Sequence, residues 1–178
     1  SDIWLHPKQG TDAALALAFG HVVLKEFHVE RQAEYFADYT RKYSDFPLLV
    51  RLVEQNGRLV ADRFVRAADL PGNAGEEANP DWKSVAFDEV SGELVVPTGS
   101  AGHRWGDAGK WNLEEKDSTG REVRLRTTLA GVEDSIQPVA FPYFGGDAPH
   151  DFVATDHDDV LLRNIPVKQL SYADGSTG

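Results

Sequence analysis

The sequence has 178 residues, enough for one domain of ordinary size, and 41% of them are apolar, so a real core can form. It carries 18 basic against 29 acidic residues, a net charge of −11, which argues against binding nucleic acid or anionic lipid because both need a basic surface. There is no cysteine, so this chain itself holds no disulfide, no Cys-ligated zinc and no iron–sulfur cluster.

Ile3 to Leu5 reads as the end of a buried strand, and Pro7, Lys8, Gln9 and Gly10 as a loop. Thr11 or Asp12 then offers an N-cap to an apolar run, 13–24, that is interrupted only by Gly20 and His21. A helix apolar nearly all round is expected to be buried, with its N-terminus held rigidly by the fold. The first turn of such a helix presents unpaired N–H groups and a partial positive charge, a natural seat for phosphate. Lys8 adds a full charge beside that seat. The run is well short of the roughly 20 residues that span a bilayer, so no direct membrane insertion is expected. No basic signal-peptide region precedes it. The opening at Ser1 without an initiator Met, and the close at SYADGSTG, read as the ends of an excised segment.

His21, Lys25 and His28 fall at i, i+4 and i+7, a spacing that suits either a metal or anion site or a polar strip on one helix face. A second helix is expected from about Glu30 to Tyr43, where Ala33, Phe36, Ala37 and Thr40 recur at helical spacing, and Pro47 closes the section.

From there the pattern turns to β. Leu48 to Glu54 and Arg58 to Val65 flank Gln55-Asn56-Gly57, and Asn-Gly between apolar runs is the strongest short hairpin signal. Ser84 to Val90 and Glu93 to Pro97 flank Ser91-Gly92 as a second hairpin; Trp111 to Glu115 and Glu122 to Leu129 flank 117–120 as a third. Loops rich in Gly, Pro and Asn run from Pro71 to Pro80 and from Gly99 to Gly109. The tail holds a Pro-Tyr-Phe-Gly-Gly turn and a strand-like stretch, Asp159 to Ile165.

Two further groups invite a chemical reading. His103, Arg104, Trp105 and Gly106 with Lys110 and Trp111 mix cations and aromatics, as either an anion-attracting funnel wall or a cation–π packed loop. Asp147, Asp151, Asp156, Asp158 and Asp159 with His150 and His157 are acidic enough to suggest a divalent cation. They lack the spacing and closing Glu of a calcium loop, and a solvated acidic surface is the better reading.

The run HPKQGTDAALALAFGHVVLKEFH, with three residues between Pro7 and Thr11, resembles the P-x-x-T-D element and following Ala/Leu-rich helix of the molybdopterin-dependent oxidoreductases. ADYTRKYSDFPLLV, NPDWKSVAFDE, VVPTGSAGHRWGDAGKWNLEE, FPYFGGD and NIPVKQLSYADGST then resemble, in order and across nearly the whole chain, the catalytic alpha subunits of membrane-associated respiratory nitrate reductases. The resemblance implies that Lys8, Gln9, Gly10, Thr11 and Asp12 line the pocket of one of two molybdopterin guanine dinucleotides that hold the molybdenum. Gly10 would let the backbone approach the ligand. Thr11 and the helix N–H groups would donate to phosphate, and the Asp12 carboxylate, which would repel phosphate, would accept two hydrogen bonds from the guanine edge.

The resemblance also implies a 4Fe-4S cluster elsewhere in the parent subunit, not ligated by this chain. No catalytic residue and no molybdenum ligand is assigned to any residue here. The implied partners are the remainder of the alpha subunit, an iron–sulfur beta subunit and a membrane quinol-oxidising gamma subunit. The implied location is peripheral to the cell membrane, on its cytoplasmic face.

The expected architecture is α+β. Residues 1–45 would be a strand–loop–helix–helix segment of a molybdopterin-cofactor-binding α/β domain, and residues 46–178 a mostly antiparallel, hairpin-rich β body. The implied parent reduces nitrate to nitrite with quinol-derived electrons, and this piece is expected to be inactive alone. A related molybdenum oxidoreductase acting on perchlorate or selenate, and a non-catalytic structural or subunit-contact module, are the alternatives.

Overall fold

The structure is a computed structural model that describes residues 5–98, 115–142, 152–154 and 160–178. The strand expected at Ile3 to Leu5 lies outside these residues except for Leu5, which is in neither helix nor strand. The chain divides into two compact units, Ser1–Thr40 and Arg41–Gly178.

In the first unit, α1 (Asp12–Leu24) runs on into a π-helical turn, Lys25–Val29. Gln32 then takes a left-handed conformation, φ 47°, which breaks the helical path. The second helix therefore begins at Glu34 rather than near Glu30: α2 spans Glu34–Tyr43. The Thr40 hydroxyl turns back into it and donates to the carbonyl oxygens of Phe36 (2.9 Å) and Ala37 (3.2 Å).

The second unit is built from strands, and its core explains why. β1 (Val50–Gln55) and β2 (Arg58–Phe64) form the expected hairpin, with Gln55 opposite Arg58. Asn56 and Gly57 both have positive φ, 53° and 75°, which is the requirement of the tight turn whose twist matches the strands. β3 (Ala86–Phe87) and β4 (Leu94–Val95) form the second hairpin, with only short paired strands. β5 (Ser135–Pro142), β6 (Phe152–Ala154) and β7 (Val160–Val167) complete a sheet of order β1-β2-β5-β7-β6. All its pairings are antiparallel except β2 with β5, which meet in parallel at Leu59↔Val139 and Val60↔Ala140. That contact starts just after Pro138, which has no N–H to give to a neighbour. The fold is thus α+β with a mostly antiparallel body, as expected.

The third hairpin is reduced. Lys116 bridges Glu122, and Gly120 N donates to Asp117 O at 3.0 Å, but the described part holds isolated bridges rather than continuous strands. The rest of it, 111–114, lies outside the described residues, as do the 99–109 loop and the Tyr-Phe-Gly-Gly part of the Pro142 turn.

Neighbouring residues of this body face opposite ways, and two buried clusters result. Val65, Ala67, Leu70, Val85, Val96 and Tyr172 form one, with Leu49 packed against it; Ala86, Val95, Val123 and Leu125 form the other, with Leu48. Leu48 and Leu49, Val85 and Ala86, and Val95 and Val96 are each split between the two, the signature of period-two alternation. Leu49, Val65 and Val85 are joined through their backbones, in bonds of 2.8 to 3.1 Å. The turn that brings Ala67 and Leu70 inward is held by Asp69, which accepts two bonds of 2.7 Å from the Arg63 guanidinium and one of 2.8 Å from Arg66 N.

Candidate functional site

The candidate loop is a single turn closed on itself. Thr11 N donates to the carbonyl oxygen of Lys8 at 3.1 Å, and the Thr11 hydroxyl donates to the same oxygen at 2.6 Å. Gln9 and Gly10 are the two central residues, and Gly10 has φ 81°, where a side chain would be strained. A Cβ at Gly10 would meet nothing within 4 Å, so the turn leaves open space over that backbone.

Thr11 is the N-cap residue of α1, yet its hydroxyl makes no capping bond to the helix, because it is turned toward Lys8. The side chain that would ordinarily satisfy a first-turn amide is thus directed elsewhere. Asp12 is the first residue of the helix and lies in its first turn. Lys8, Gln9, Gly10, Thr11 and Asp12 are all exposed and follow one another around the turn, so the structure brings the five predicted residues together in one place.

The expectation that α1 is buried is not met: the helix contains no buried residue, and Leu17 and Phe19 are 75% and 56% exposed. An all-round apolar helix needs cover on every side. The short unit Ser1–Thr40 does not supply it.

His21, Lys25 and His28 do not assemble into a site. The π-helical turn at Lys25–Val29 alters the spacing on which a shared face depends. Lys25 pairs with Glu30 at 3.7 Å, and the His28 ring lies 6.3 Å from that of Phe36. Among the described residues no group of three or more His, Asp or Glu side chains is placed to hold a metal ion. His6 is exposed beside the loop. Arg104 and Lys110, and the acidic group from Asp147 to Asp159, lie outside the described residues.

Among the described residues, the buried carboxylates sit in the β body, while buried Arg41, near the end of α2, donates to Glu115 at 2.9 Å. Asp88, 1% exposed, accepts bonds from the Ser91 hydroxyl (2.6 Å), Ser91 N (3.0 Å), Val90 N (3.3 Å) and Arg124 N (2.8 Å). Burial alone would raise its pKa; these four donors overcome that and hold the carboxyl below its ordinary value. Asp117 repeats the arrangement with the Thr119 hydroxyl (2.7 Å), Thr119 N (2.9 Å), Arg121 N (3.0 Å) and the Arg121 guanidinium (3.0 Å), again with a lowered pKa despite burial. Glu76 is likewise buried and pairs with Lys83. The sequence signal for the two aspartates was an Asp followed within three residues by Ser or Thr and then Gly, which favours side-chain-stabilised turns. Every acceptor position described here is used within the fold, so these groups are structural. Among the described residues, the exposed turn at 8–12 leads into first-turn amides of α1 that have no capping partner.

No family model matches the sequence. The chain is 54% identical over 177 residues to the respiratory nitrate reductase 1 alpha chain of Escherichia coli (strain K12), covering 99% of this chain and 14% of that one. It is 39% identical over 173 residues to the nitrate reductase alpha chain of Bacillus subtilis (strain 168), covering 96% of this chain and 13% of that one. A more distant likeness, 33% over 106 residues and 60% of this chain, is to the perchlorate reductase subunit alpha of Dechloromonas aromatica (strain RCB). The chain therefore spans about one seventh of the length of these curated nitrate reductase relatives.

Proposed function

We propose, from a chain that matches a segment of respiratory nitrate reductase alpha chains along nearly its whole length, that its parent reduces nitrate to nitrite and that this segment forms one wall of the cofactor site. The observation that supports this most directly is the match itself, which covers 99% of the chain and so runs through the loop at 8–12. When bound, a molybdenum bis(molybdopterin guanine dinucleotide) supplies the oxygen-atom and electron transfer chemistry, and the protein supplies binding, orientation and electrostatics.

The residues present fit such a group. The left-handed Gly10 lets a ligand approach the backbone with no Cβ in the way. The first-turn amides of α1 are donors suited to a phosphate, the Thr11 hydroxyl would join them by releasing the Lys8 carbonyl oxygen, and the Lys8 ammonium adds a counter-charge. Gln9, between them, contributes an amide to the same rim. Asp12 carries the wrong charge for phosphate and the right geometry for the N1–H and N2–H edge of guanine. It would therefore orient the nucleotide end, and no residue of this chain serves as acid, base or nucleophile.

In the same reading, residues 1–45 belong to a molybdopterin-cofactor-binding α/β domain and 46–178 form a β-hairpin-rich insertion. The parent would carry a 4Fe-4S cluster on other residues and work with an iron–sulfur beta subunit and a membrane gamma subunit that oxidises quinol. It would lie peripheral to the membrane at the cytoplasmic face. Among the described residues no helix is long and apolar enough to cross a membrane. The likeness to a perchlorate reductase subunit favours, as a second reading, a related molybdenum enzyme for another oxyanion.

The test uses the full-length parent subunit with its partners. Asp12→Asn replaces a charge-assisted acceptor pair by a half-donor amide and is expected to cost about 2 kcal/mol of nucleotide binding. Combined with Thr11→Ala, it should lower both the molybdenum and the guanine nucleotide recovered per subunit, and nitrate reduction with them. Wild-type cofactor content in the double variant would remove Thr11 and Asp12 from the pocket. Normal cofactor content with perchlorate turnover exceeding nitrate turnover in the unaltered parent would favour the second reading.

A further inference from the structure

The chain contains five asparagines, and their successors are Gly57, Ala74, Pro80, Leu113 and Ile165. Only Asn56 is followed by glycine, which places no side chain over the backbone nitrogen next to the asparagine amide. Asn56 and Gly57 are both exposed at the tip of the β1–β2 hairpin. Among the described hydrogen bonds, neither the Asn56 side chain nor Gly57 N has a partner. The two-residue turn accounts for this, because its ladder closes at Gln55 and Arg58 and leaves the central N–H unused.

We propose that Asn56–Gly57 is a self-modifying site that converts to aspartate and isoaspartate in the folded protein. Gly57 N loses its proton to solvent base and attacks the Asn56 side-chain carbonyl carbon. A C–N bond forms, the bond to the amide nitrogen breaks, and that nitrogen takes a third proton from solvent and departs as ammonia, leaving a five-membered succinimide. Water then opens the ring. Cleavage at the side-chain carbonyl gives aspartate, and cleavage at the main-chain carbonyl gives isoaspartate. The net reaction is asparagine plus water to an acid plus ammonia, with no change of oxidation state. The turn holds Asn56 at φ 53°, so attack proceeds as the tip opens, and a hairpin end is the part of a sheet that opens most readily.

The two products differ in consequence. Aspartate fits the same positive-φ turn, as Asp-Gly does generally. Isoaspartate lengthens the main chain by one methylene inside a two-residue loop, which the facing of Gln55 and Arg58 cannot absorb.

The experiment incubates the folded full-length protein in mildly alkaline buffer and follows tryptic peptides with time. Asn56 falls in 52–58, Asn73 and Asn79 in 67–83, and Asn164 in 164–168, so the other peptides are internal clocks. The amide-to-acid mass shift and the isoaspartyl signal are expected first in 52–58, with near-complete loss of its amide form while 164–168 is unchanged. Amide hydrogens of β1 and β2 should exchange faster in the aged protein. An amide form of 52–58 that persists as long as that of 164–168 would overturn the proposal. So would a shift that occurs in urea but not in the folded protein.

Discussion

Asp88→Ala is expected to lower the stability of Arg41–Gly178 by about 3 kcal/mol, read as a fall in the urea midpoint with an unchanged slope. The carboxylate is fully enclosed and serves donors from two separate stretches, Val90–Ser91 beside it and Arg124, which is 36 residues from Asp88 in sequence. Alanine removes the acceptor and leaves the N–H groups of Val90, Ser91 and Arg124 without the partner that ties them together. The loss is therefore that of four bonds to a charged acceptor, each stronger than a neutral one, rather than the modest net value of one bond. Asp88→Asn keeps one oxygen but aims an amide donor at other donors, and should fall between alanine and the parent. A midpoint for Asp88→Ala within experimental error of the unaltered chain would contradict the arrangement.

The same carboxylates set an acid limit. Asp88 and Asp117 have folded pKa values below their ordinary value of 3.8, so the folded state binds protons less readily than the unfolded one. Their stabilisation is complete above the unfolded pKa and is lost as pH falls through the folded value. The urea midpoint should therefore be flat near neutrality and decline below roughly pH 4. With Asp88→Asn the decline should become shallower, since one of the linked carboxylates no longer titrates.

Leu125→Ala is the second large effect, expected at about 3 kcal/mol by urea unfolding, with Leu125→Val near 1 kcal/mol. Leu125 is 0% exposed and lies among Ala86, Val95 and Val123, with Leu48 against them. Its neighbours in that cluster are small or β-branched, so they cannot lean in to refill the space that alanine leaves. A loss below about 1 kcal/mol for the alanine variant would mean that the cluster collapses around the gap.

The elements that could be read from the sequence were those with a local cause. Asn56-Gly57 demanded a tight turn, and the turn fixed the β1–β2 register. The apolar run after Thr11 demanded a helix, and Asp12–Leu24 is one. What escaped had causes at a distance or in conflict with pattern. Ser135–Pro142 was not recognised as a strand because Pro138 and Pro142 interrupt it, and only its long pairing with β7 makes it one. The start of α2 was misplaced because nothing in Gln32 itself announces a left-handed residue. The burial of α1 was expected from its composition, but burial is a property of the surroundings, and those of Ser1–Thr40 do not enclose it. The candidate site was legible for the same local reasons as the helix, since a glycine turn and a helix start are both written in five consecutive residues.

The sharing of Leu48-Leu49, Val85-Ala86 and Val95-Val96 between the two clusters has a consequence for how this chain tolerates change in length. Each dipeptide acts as a hinge pin through a wall, with one side chain in either room. Inserting a single residue just before any of these pairs would turn the pin end for end, sending each side chain into the wrong room. Two inserted residues would restore the sides and shift only the position along the strand. Evolutionary or engineered length changes in this body should therefore be found in the loops between the pins, and within the strands should come in twos.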